Sequence, residues 1–387
     1  MDINRRIQSL VGSSTLAITA RAKELSAQGK DVVSFAAGEP DFDTPSEIKE
    51  AAIRAIQDGY TKYTPSVGSL ELRQIISQKF IRENKLSYTP EQIVVSCGAK
   101  HSLFNVIQVL ADDGDEVLIP SPYWVSYPEM VRVAGAVPRF IPTTAESRFK
   151  VDAEMLQKHI TKQTKIFILN SPSNPTGMIY SFEELRPIAE LCVKNRIWII
   201  SDEIYEKLIY ESSLCPSIAS LGPEVYARTI TVNGFSKAFS MTGWRVGYCA
   251  GPQEIMDYVK KFQDHSTSNP CSVSQKAALQ ALGSSEESIL AMREEFKQRR
   301  DLLMSLMDEI PGVTYIKPEG AFYLFCDFSA LGDSQDVAKR ILNDVNVALI
   351  PGDGFGAPGF IRISFSTSKE RIREGVKRLA AWIAKNR

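Results

Sequence analysis

A lysine and an arginine eight positions apart mark the stretch of this sequence with the clearest chemical potential. The stretch, NGFSKAFSMTGWRVG at residues 233–247, contains Lys237 and Arg245. Taken alone, Lys237 could be an ordinary surface lysine. Its neighbours Phe235 and Trp244 would exclude water from the amine, and desolvation lowers an amine pKa toward the range in which it attacks aldehydes. Arg245 offers a planar fork for a phosphate, so one ligand carrying an aldehyde and a phosphate would suit both residues.

Further polar residues follow apolar runs elsewhere in the chain. Asp202 ends the run IWIISD, and Tyr205 comes three positions later. A carboxylate at the end of so apolar a strand needs a partner or a function, although a helix-capping aspartate is the simpler interpretation of Asp202 alone. Asn174 in NSPSNPTG adds an amide, and SCGAK at residues 96–100 offers backbone donors for phosphate. Together these residue types suit a pyridine ring, with an acid for its nitrogen and donors for its phenolic oxygen.

The elements that would position these residues alternate between short apolar runs and helical periodicity over residues 45–285. The runs, each ending in Gly, Ser, Asn, Asp or Pro, include QIVVSCG, DEVLIPSP, KIFILNSP, IWIISDE, TITVNGFS and VGYCAGP. This pattern predicts an α/β domain with a mostly parallel sheet, whose ligand lies beyond the carboxyl ends of the strands. Residues 286–387 indicate a smaller α+β domain. We expect residues 1–44 to pack with it, which makes the smaller domain discontinuous.

The composition excludes several classes of protein. The 45 Lys and Arg residues nearly balance the 46 Asp and Glu residues. The chain therefore has no broad positive electrostatic field that would attract nucleic acid or an anionic membrane. Six scattered cysteines, three separate histidines and no long apolar run favour a cytoplasmic protein without a metal site. The string PGDGFGA at residues 351–357 is a weak match to a dinucleotide fingerprint, because a strand rather than a helix is expected after it.

Several motifs together resemble the class I aminotransferases of the fold-type I pyridoxal-phosphate family. They are NSPSNPTG, SDEIY, SKAFSMTGWRVGY and IRISFS, in this order and spacing over nearly the full chain. With AAGEPDFDTP, KYTPSVGSLELR and SPYWVSYPEM, the sequence is most similar to the bacterial-type subgroup of aspartate aminotransferases. The resemblance implies a large domain with a seven-stranded, mostly parallel sheet and a dimer with shared active sites.

The resemblance also implies a role for each matching residue. Lys237 would bind the aldehyde of pyridoxal 5′-phosphate covalently and later move the substrate proton, and Asp202 would pair with the pyridine nitrogen. Tyr205 and Asn174 would donate to the phenolic oxygen. The ring would stack on Trp124. The phosphate would be held within one subunit by Gly98, Ala99, Lys100 (backbone), Ser236 and Arg245. Tyr63 of the other subunit would reach the same phosphate.

Substrate recognition is implied in the same way. Arg362 in IRISFS would grip the α-carboxylate, and the backbone of Gly38 would contact the same group. Trp124 and Asn174 would also contact the substrate. The side chain of Lys100, with help from a residue within 265–269, would bind the distal carboxylate of the substrate.

Two positions depart from relatives. Many carry Ser or Thr three residues before the lysine, where this chain has Gly234. Members that accept prephenate tend to carry a basic residue where this chain has Val11 and Gly12.

These features predict an aspartate aminotransferase that acts on 2-oxoglutarate by a ping-pong mechanism. The alternatives are a related specificity for prephenate, aromatic or other biosynthetic keto acids and, more distantly, a non-catalytic pyridoxal-phosphate sensing domain.

Overall fold

The computed structural model describes residues 3–12, 14–212, 214–284 and 286–386. Its strands are β1 (Val33–Ser34), β2 (Ile93–Ser96), β3 (Glu116–Ser121), β4 (Val137–Pro142), β5 (Thr164–Asn170), β6 (Trp198–Asp202), β7 (Thr229–Gly234), β8 (Gly247–Ala250), β9 (Thr314–Tyr315), β10 (Tyr323–Asp327), β11 (Val347–Ala348), β12 (Ile350–Pro351) and β13 (Phe360–Ser364). Its α-helices are α1 (Arg5–Gln8), α2 (Ser14–Ala27), α3 (Ser46–Gln57), α4 (Leu70–Lys79), α5 (Ala99–Leu110), α6 (Tyr127–Val133), α7 (Ala153–His159), α8 (Phe182–Lys194), α9 (Pro223–Tyr226), α10 (Gln253–Asp264), α11 (Ser272–Gly283), α12 (Glu287–Met307), α13 (Ser334–Val345) and α14 (Lys369–Asn386).

The main sheet has seven strands in the order β2, β8, β7, β6, β5, β3, β4. Strands β3 to β7 pair in parallel, and β8 runs antiparallel to both of its neighbours. The prediction of a mostly parallel seven-stranded sheet is confirmed. All six of the quoted apolar runs form strands of this sheet.

Helices cover both faces of the sheet because its inner strands are apolar on both sides. Along β5, Ile166 and Ile168 pack in the core under α5 and α6. The alternate residues Phe167 and Leu169 pack in a second core with α8. This alternation follows from the two-residue period of a strand.

Strand β4 is the one strand of the main sheet that is not among the predicted runs. It lies at the sheet edge beside β3, and only Ile141 of its six residues is buried. An edge strand has one neighbour and one poorly covered face, so its sequence VPRFIP tolerates two prolines and an arginine. Such a strand carries no continuous apolar signal.

The second part of the fold contains an antiparallel sheet in the order β12, β13, β10, β9. Strand β1 pairs in parallel with β11, which joins Val33 to Val347 and Ser34 to Ala348. Helices α12 and α14 pack against each other over an apolar core that they share with β10 and β13. Tyr205 and Leu208, from the loop after β6, belong to this core as well. The β1–β11 pairing supports the proposal that residues 1–44 and 286–387 form one discontinuous domain beside a large domain of residues 45–285.

Two further sequence features have clear outcomes in the fold. The string PGDGFGA forms a short 3₁₀ turn, Gly352–Phe355, between the antiparallel strands β12 and β13. A dinucleotide loop instead requires an α-helix that begins inside the glycine motif. Within the described ranges, every helix is too short or too polar to cross a membrane.

Candidate active site

One cavity of about 750 Å³ opens at the carboxyl ends of the parallel strands. The strand register gathers the polar ends, because Asn170 lies beside Asp202 on the next strand and Gly234 lies beside Gly247. Eleven of the predicted site residues line the cavity: Gly38, Ala99, Lys100, Trp124, Asn174, Asp202, Tyr205, Ser236, Lys237, Arg245 and Arg362.

Lys237 lies three residues after the end of β7, and its amine points across the cavity toward the segment that follows β1. Its Nζ donates a hydrogen bond to the carbonyl oxygen of Gly38 at 2.5 Å. Burial lowers the pKa of Lys237 to about 8, with further lowering by Arg362 and Arg245 and opposition from Glu39. An amine with this pKa is partly neutral near physiological pH, so it can act as a nucleophile and can take up or release a proton.

Asp202 ends β6 and is almost fully buried. Its Oδ2 accepts a hydrogen bond from the hydroxyl of Tyr127 at 2.6 Å, and its Oδ1 accepts one from the backbone of Ile204 at 3.3 Å. Burial raises the pKa of Asp202 to about 6, although both hydrogen bonds and the nearby Lys237 oppose the rise. A buried carboxyl group of this kind suits a cationic partner in the cavity.

Gly98 and Arg245 form a cradle at the start of α5. Gly98 has φ of 92° and precedes the first helical residue, which leaves the amino-terminal N–H groups of the helix without partners inside the helix. A Cβ on Gly98 would lie 2.6 Å from Nη2 of Arg245, so the arginine packs directly over the glycine. Gly247 is equally constrained, because a Cβ there would lie 2.2 Å from the backbone nitrogen of Ala99. Helix amino terminus and guanidinium together suit a phosphate.

The absence of a hydroxyl at Gly234 has a steric explanation. Gly234 is buried in β7, and a Cβ there would lie 3.0 Å from Cα of Gly247 and 3.3 Å from both Ile204 and the Val246 carbonyl. A serine or threonine would therefore push against a packed strand. The hydroxyl of Ser236, two residues after Gly234, does line the cavity.

Arg362 lies in β13 and is 2% exposed. Its Nη1 donates to Oδ1 of Asn174 at 3.0 Å, and its Nη2 donates to the carbonyl oxygen of Ala36 at 3.2 Å. Its guanidinium carbon lies 4.3 Å from the ring centroid of Tyr323. Its buried Nε has no partner among the described residues. Arg362 also lines the cavity, and a buried guanidinium there is suited to an incoming carboxylate.

Trp124 and Lys100 lie together on another wall of the cavity. The Lys100 Nζ is 4.8 Å from the centroid of the Trp124 ring. Partial burial and the neighbouring Arg245 lower the pKa of Lys100. The side chain therefore provides a cation within the cavity and not on a remote surface.

Other sequence-predicted positions lie outside the cavity of this chain. Tyr63 is 93% exposed and is not one of the lining residues. Residues 265–269, which follow α10, do not line it either. Val11 is 69% exposed, and its backbone nitrogen donates to Glu129 on α6.

Comparison with known proteins identifies the family. The profile of the family described as "Aminotransferase class I and II" matches residues 30–379. The chain belongs to the class I and II aminotransferases. It is 49% identical to the aspartate aminotransferase of Bacillus sp. (strain YM-2), with 98% of each chain covered.

Two further relatives show the range of specificity around this aminotransferase. It is 48% identical to a probable aspartate/prephenate aminotransferase of Aquifex aeolicus, over 97% of this chain and 96% of the relative. The structure of aspartate aminotransferase from Thermus thermophilus with maleate superimposes with a TM-score of 0.95 at 44% identity, covering 98% of this chain and 99% of the other.

Two tyrosines that line the aminotransferase cavity are absent from the sequence-based predictions. Tyr127 binds the Asp202 carboxyl group, and the hydroxyl of Tyr323 lies 2.9 Å from that of Tyr205. The need of a buried Asp202 for a donor is visible in the sequence, but the donor's identity is not. The aromatic run GAFYLFCDF around Tyr323 reads as an ordinary buried strand.

Proposed function

We propose that this aminotransferase binds pyridoxal 5′-phosphate and transfers the amino group of L-aspartate to 2-oxoglutarate, giving oxaloacetate and L-glutamate by a ping-pong mechanism. The observation that carries the proposal is a single cavity lined by Lys237, Asp202, Arg245 and Arg362. These four side chains supply an amine for an aldehyde, an acid for a ring nitrogen, and cations for a phosphate and a carboxylate. The names of the relatives support the choice of aspartate.

The residues around the cavity fit the cofactor. Arg245 and Ser236 would hold the phosphate together with the Gly98 turn and the backbone of Ala99 and Lys100. Trp124 would stack on one face of the ring. When bound, the cofactor withdraws electrons from the substrate's α-carbon and so makes removal of its proton feasible. The carboxyl group of Asp202 would gain a cationic nitrogen as its partner, which offsets the cost of burying its charge.

Arg362 and Lys237 would have different roles toward the substrate: Arg362 would bind it, and Lys237 would move its proton. Arg362 and Asn174, already bonded to each other, would hold the α-carboxylate so that the α-C–H bond faces Lys237. The Lys237 Nζ would take the proton from the substrate's α-carbon and deliver it to the aldehyde-derived carbon C4′ of the cofactor. Tyr205 and Asn174 would donate to the phenolic oxygen. The backbone of Gly38, which accepts from Lys237, would close over the carboxylate.

Lys100 would favour dicarboxylic substrates. Its Nζ lies in the cavity beside Trp124, where a carboxylate on the substrate side chain could pair with it. A related specificity for prephenate is the second candidate, favoured by the 48% identity to a relative with that name. Against it, Val11 and Gly12 occupy the place where members that accept prephenate tend to carry a basic residue.

The active site would be shared between two subunits in the cytoplasm. Tyr63 supports this dimer, because a tyrosine that is 93% exposed and remote from its own cavity is free to reach a partner's phosphate site. The six cysteines, all unpaired, suit a reducing compartment.

Substrate profiling of the purified, cofactor-loaded dimer tests the proposal. L-Aspartate, L-alanine and L-phenylalanine would be compared as donors to 2-oxoglutarate, and prephenate as acceptor from L-aspartate. We expect kcat/KM for aspartate to exceed that for alanine and phenylalanine by roughly 100-fold, the value of one charge-assisted pair. A preference for phenylalanine, or prephenate accepted better than 2-oxoglutarate, would favour the second candidate. Absence of any amino transfer from a loaded protein would favour a sensing domain.

A further inference from the structure

Tyr323 lines the cavity, yet neither the sequence motifs nor the proposed reaction gives it a role. It begins β10 and is fully buried. Its hydroxyl lies 2.9 Å from the hydroxyl of Tyr205, and its ring lies under the guanidinium of Arg362 at 4.3 Å. Tyr323 therefore touches both the residue proposed to contact the phenolic oxygen and the residue proposed to hold the α-carboxylate.

The hydroxyls of Tyr323 and Tyr205 differ in the hydrogen-bond acceptors available to them. Within the described residues, the only hydrogen-bond partner of the Tyr323 hydroxyl is Tyr205. Tyr205 has one proton and two candidate acceptors, namely Tyr323 and a phenolic oxygen in the cavity. If Tyr205 donates to Tyr323, it cannot donate to the cofactor. If Tyr323 donates to Tyr205, both protons are used and the Tyr205 proton points into the cavity.

We propose that Tyr323 is a positioning residue that donates to Tyr205 and thereby directs the Tyr205 proton onto the phenolic oxygen of the cofactor. The proposal rests on the proposed binding of pyridoxal phosphate. A hydroxyl that accepts one hydrogen bond becomes a stronger donor in the next. Tyr323 thus strengthens the bond from Tyr205 to the phenolic oxygen without touching the cofactor.

The consequence is electrostatic. A strong donor to the phenolic oxygen of the bound cofactor would stabilise the cofactor's deprotonated form and so lower the pH at which its proton is lost. Removing the Tyr323 hydroxyl should therefore raise the pH at which this proton is lost. The other charged groups that face the tyrosine pair come from four separate segments and stay in place in a Tyr323 variant; they are Glu39, Asp202, Lys237 and Arg362.

The substitution Tyr323→Phe isolates the hydroxyl, because phenylalanine keeps the ring beneath Arg362. The measurement is the absorbance of the bound cofactor as a function of pH. We expect the midpoint of the Tyr323→Phe titration to lie about 0.5–1 pH unit above that of the wild type, the scale of one neutral hydrogen bond. Tyr88→Phe is the matched control, since Tyr88 is a buried tyrosine bonded to Thr231 outside the cavity. It should leave the midpoint unchanged.

A double-mutant cycle separates orientation from general packing. In a Tyr205→Phe background the hydrogen bond from Tyr323 to Tyr205 is already lost, so adding Tyr323→Phe should produce no further shift in the titration midpoint. An unchanged midpoint in the single variant, or an equal shift in both backgrounds, would overturn the proposal. Failure of the wild type to bind the cofactor would instead overturn the proposed function, so the two failures are distinguishable.

Discussion

Substitution of Arg362 by lysine tests whether this side chain binds the α-carboxylate. In the structure the guanidinium is buried, is anchored on Asn174 and Ala36, and keeps Nε free. Lysine retains the charge but cannot form two parallel hydrogen bonds with one carboxylate. Loss of one charge-assisted hydrogen bond costs about 2–3 kcal/mol, which corresponds to roughly a 30- to 160-fold fall in kcat/KM.

The assay is steady-state amino transfer to 2-oxoglutarate by the cofactor-loaded Arg362→Lys variant. The fall should be similar for aspartate and alanine, because both carry the same α-carboxylate. Arg300→Lys is the matched control, since Arg300 is equally buried and bonds Glu211, Asp301 and the Pro318 carbonyl outside the cavity. A folded, loaded Arg362→Lys variant within threefold of wild-type kcat/KM would refute the assignment, as would an equal loss in the control.

Two more predictions concern charges in the cavity. Lys100→Ala should lower kcat/KM for aspartate at least tenfold and leave alanine nearly unchanged, because only aspartate has a distal carboxylate; equal losses for both donors would remove Lys100 from substrate recognition. Asp202→Asn should stabilise the cofactor-free protein at pH 8. The folded-state pKa of Asp202 is raised from 3.8 to about 6, so the wild type loses stability as pH rises between these values, by at most about 3 kcal/mol. Urea unfolding of both proteins at pH 4 and pH 8 measures this, and a stability difference that does not change with pH would contradict it.

The sequence predicts the main sheet well because buried parallel strands must be apolar throughout. Each of β2, β3, β5, β6, β7 and β8 falls within a quoted run, whereas β4, at the exposed edge, carries no such signal. Strand order and parallel direction then bring the polar strand ends together. For this reason Asn174 and Asp202, near the ends of neighbouring strands, could be placed at one site. Arg362 lies on β13 of the antiparallel sheet, and its assignment rests on the family resemblance.

The contacts that sequence reasoning missed are pairs between distant side chains. Tyr127 and Asp202 are 75 positions apart, and Tyr205 and Tyr323 are 118 positions apart. A tyrosine in an apolar run satisfies the local pattern whether or not its hydroxyl has a catalytic neighbour. Local periodicity specifies which face a residue occupies. The identity of the hydroxyl opposite depends on how two separate elements pack.

Rapid mixing of cofactor-loaded protein with excess L-aspartate tests the central role of Lys237 most directly. The wild type should convert its bound chromophore completely and release one oxaloacetate per site. Lys237→Ala should keep the cofactor through the Gly98 and Arg245 cradle, yet convert it at least about 10³–10⁴ times more slowly, since the amine proposed to move the α-proton is removed. Conversion by Lys237→Ala at a rate near that of the wild type, without added amine, would contradict this account.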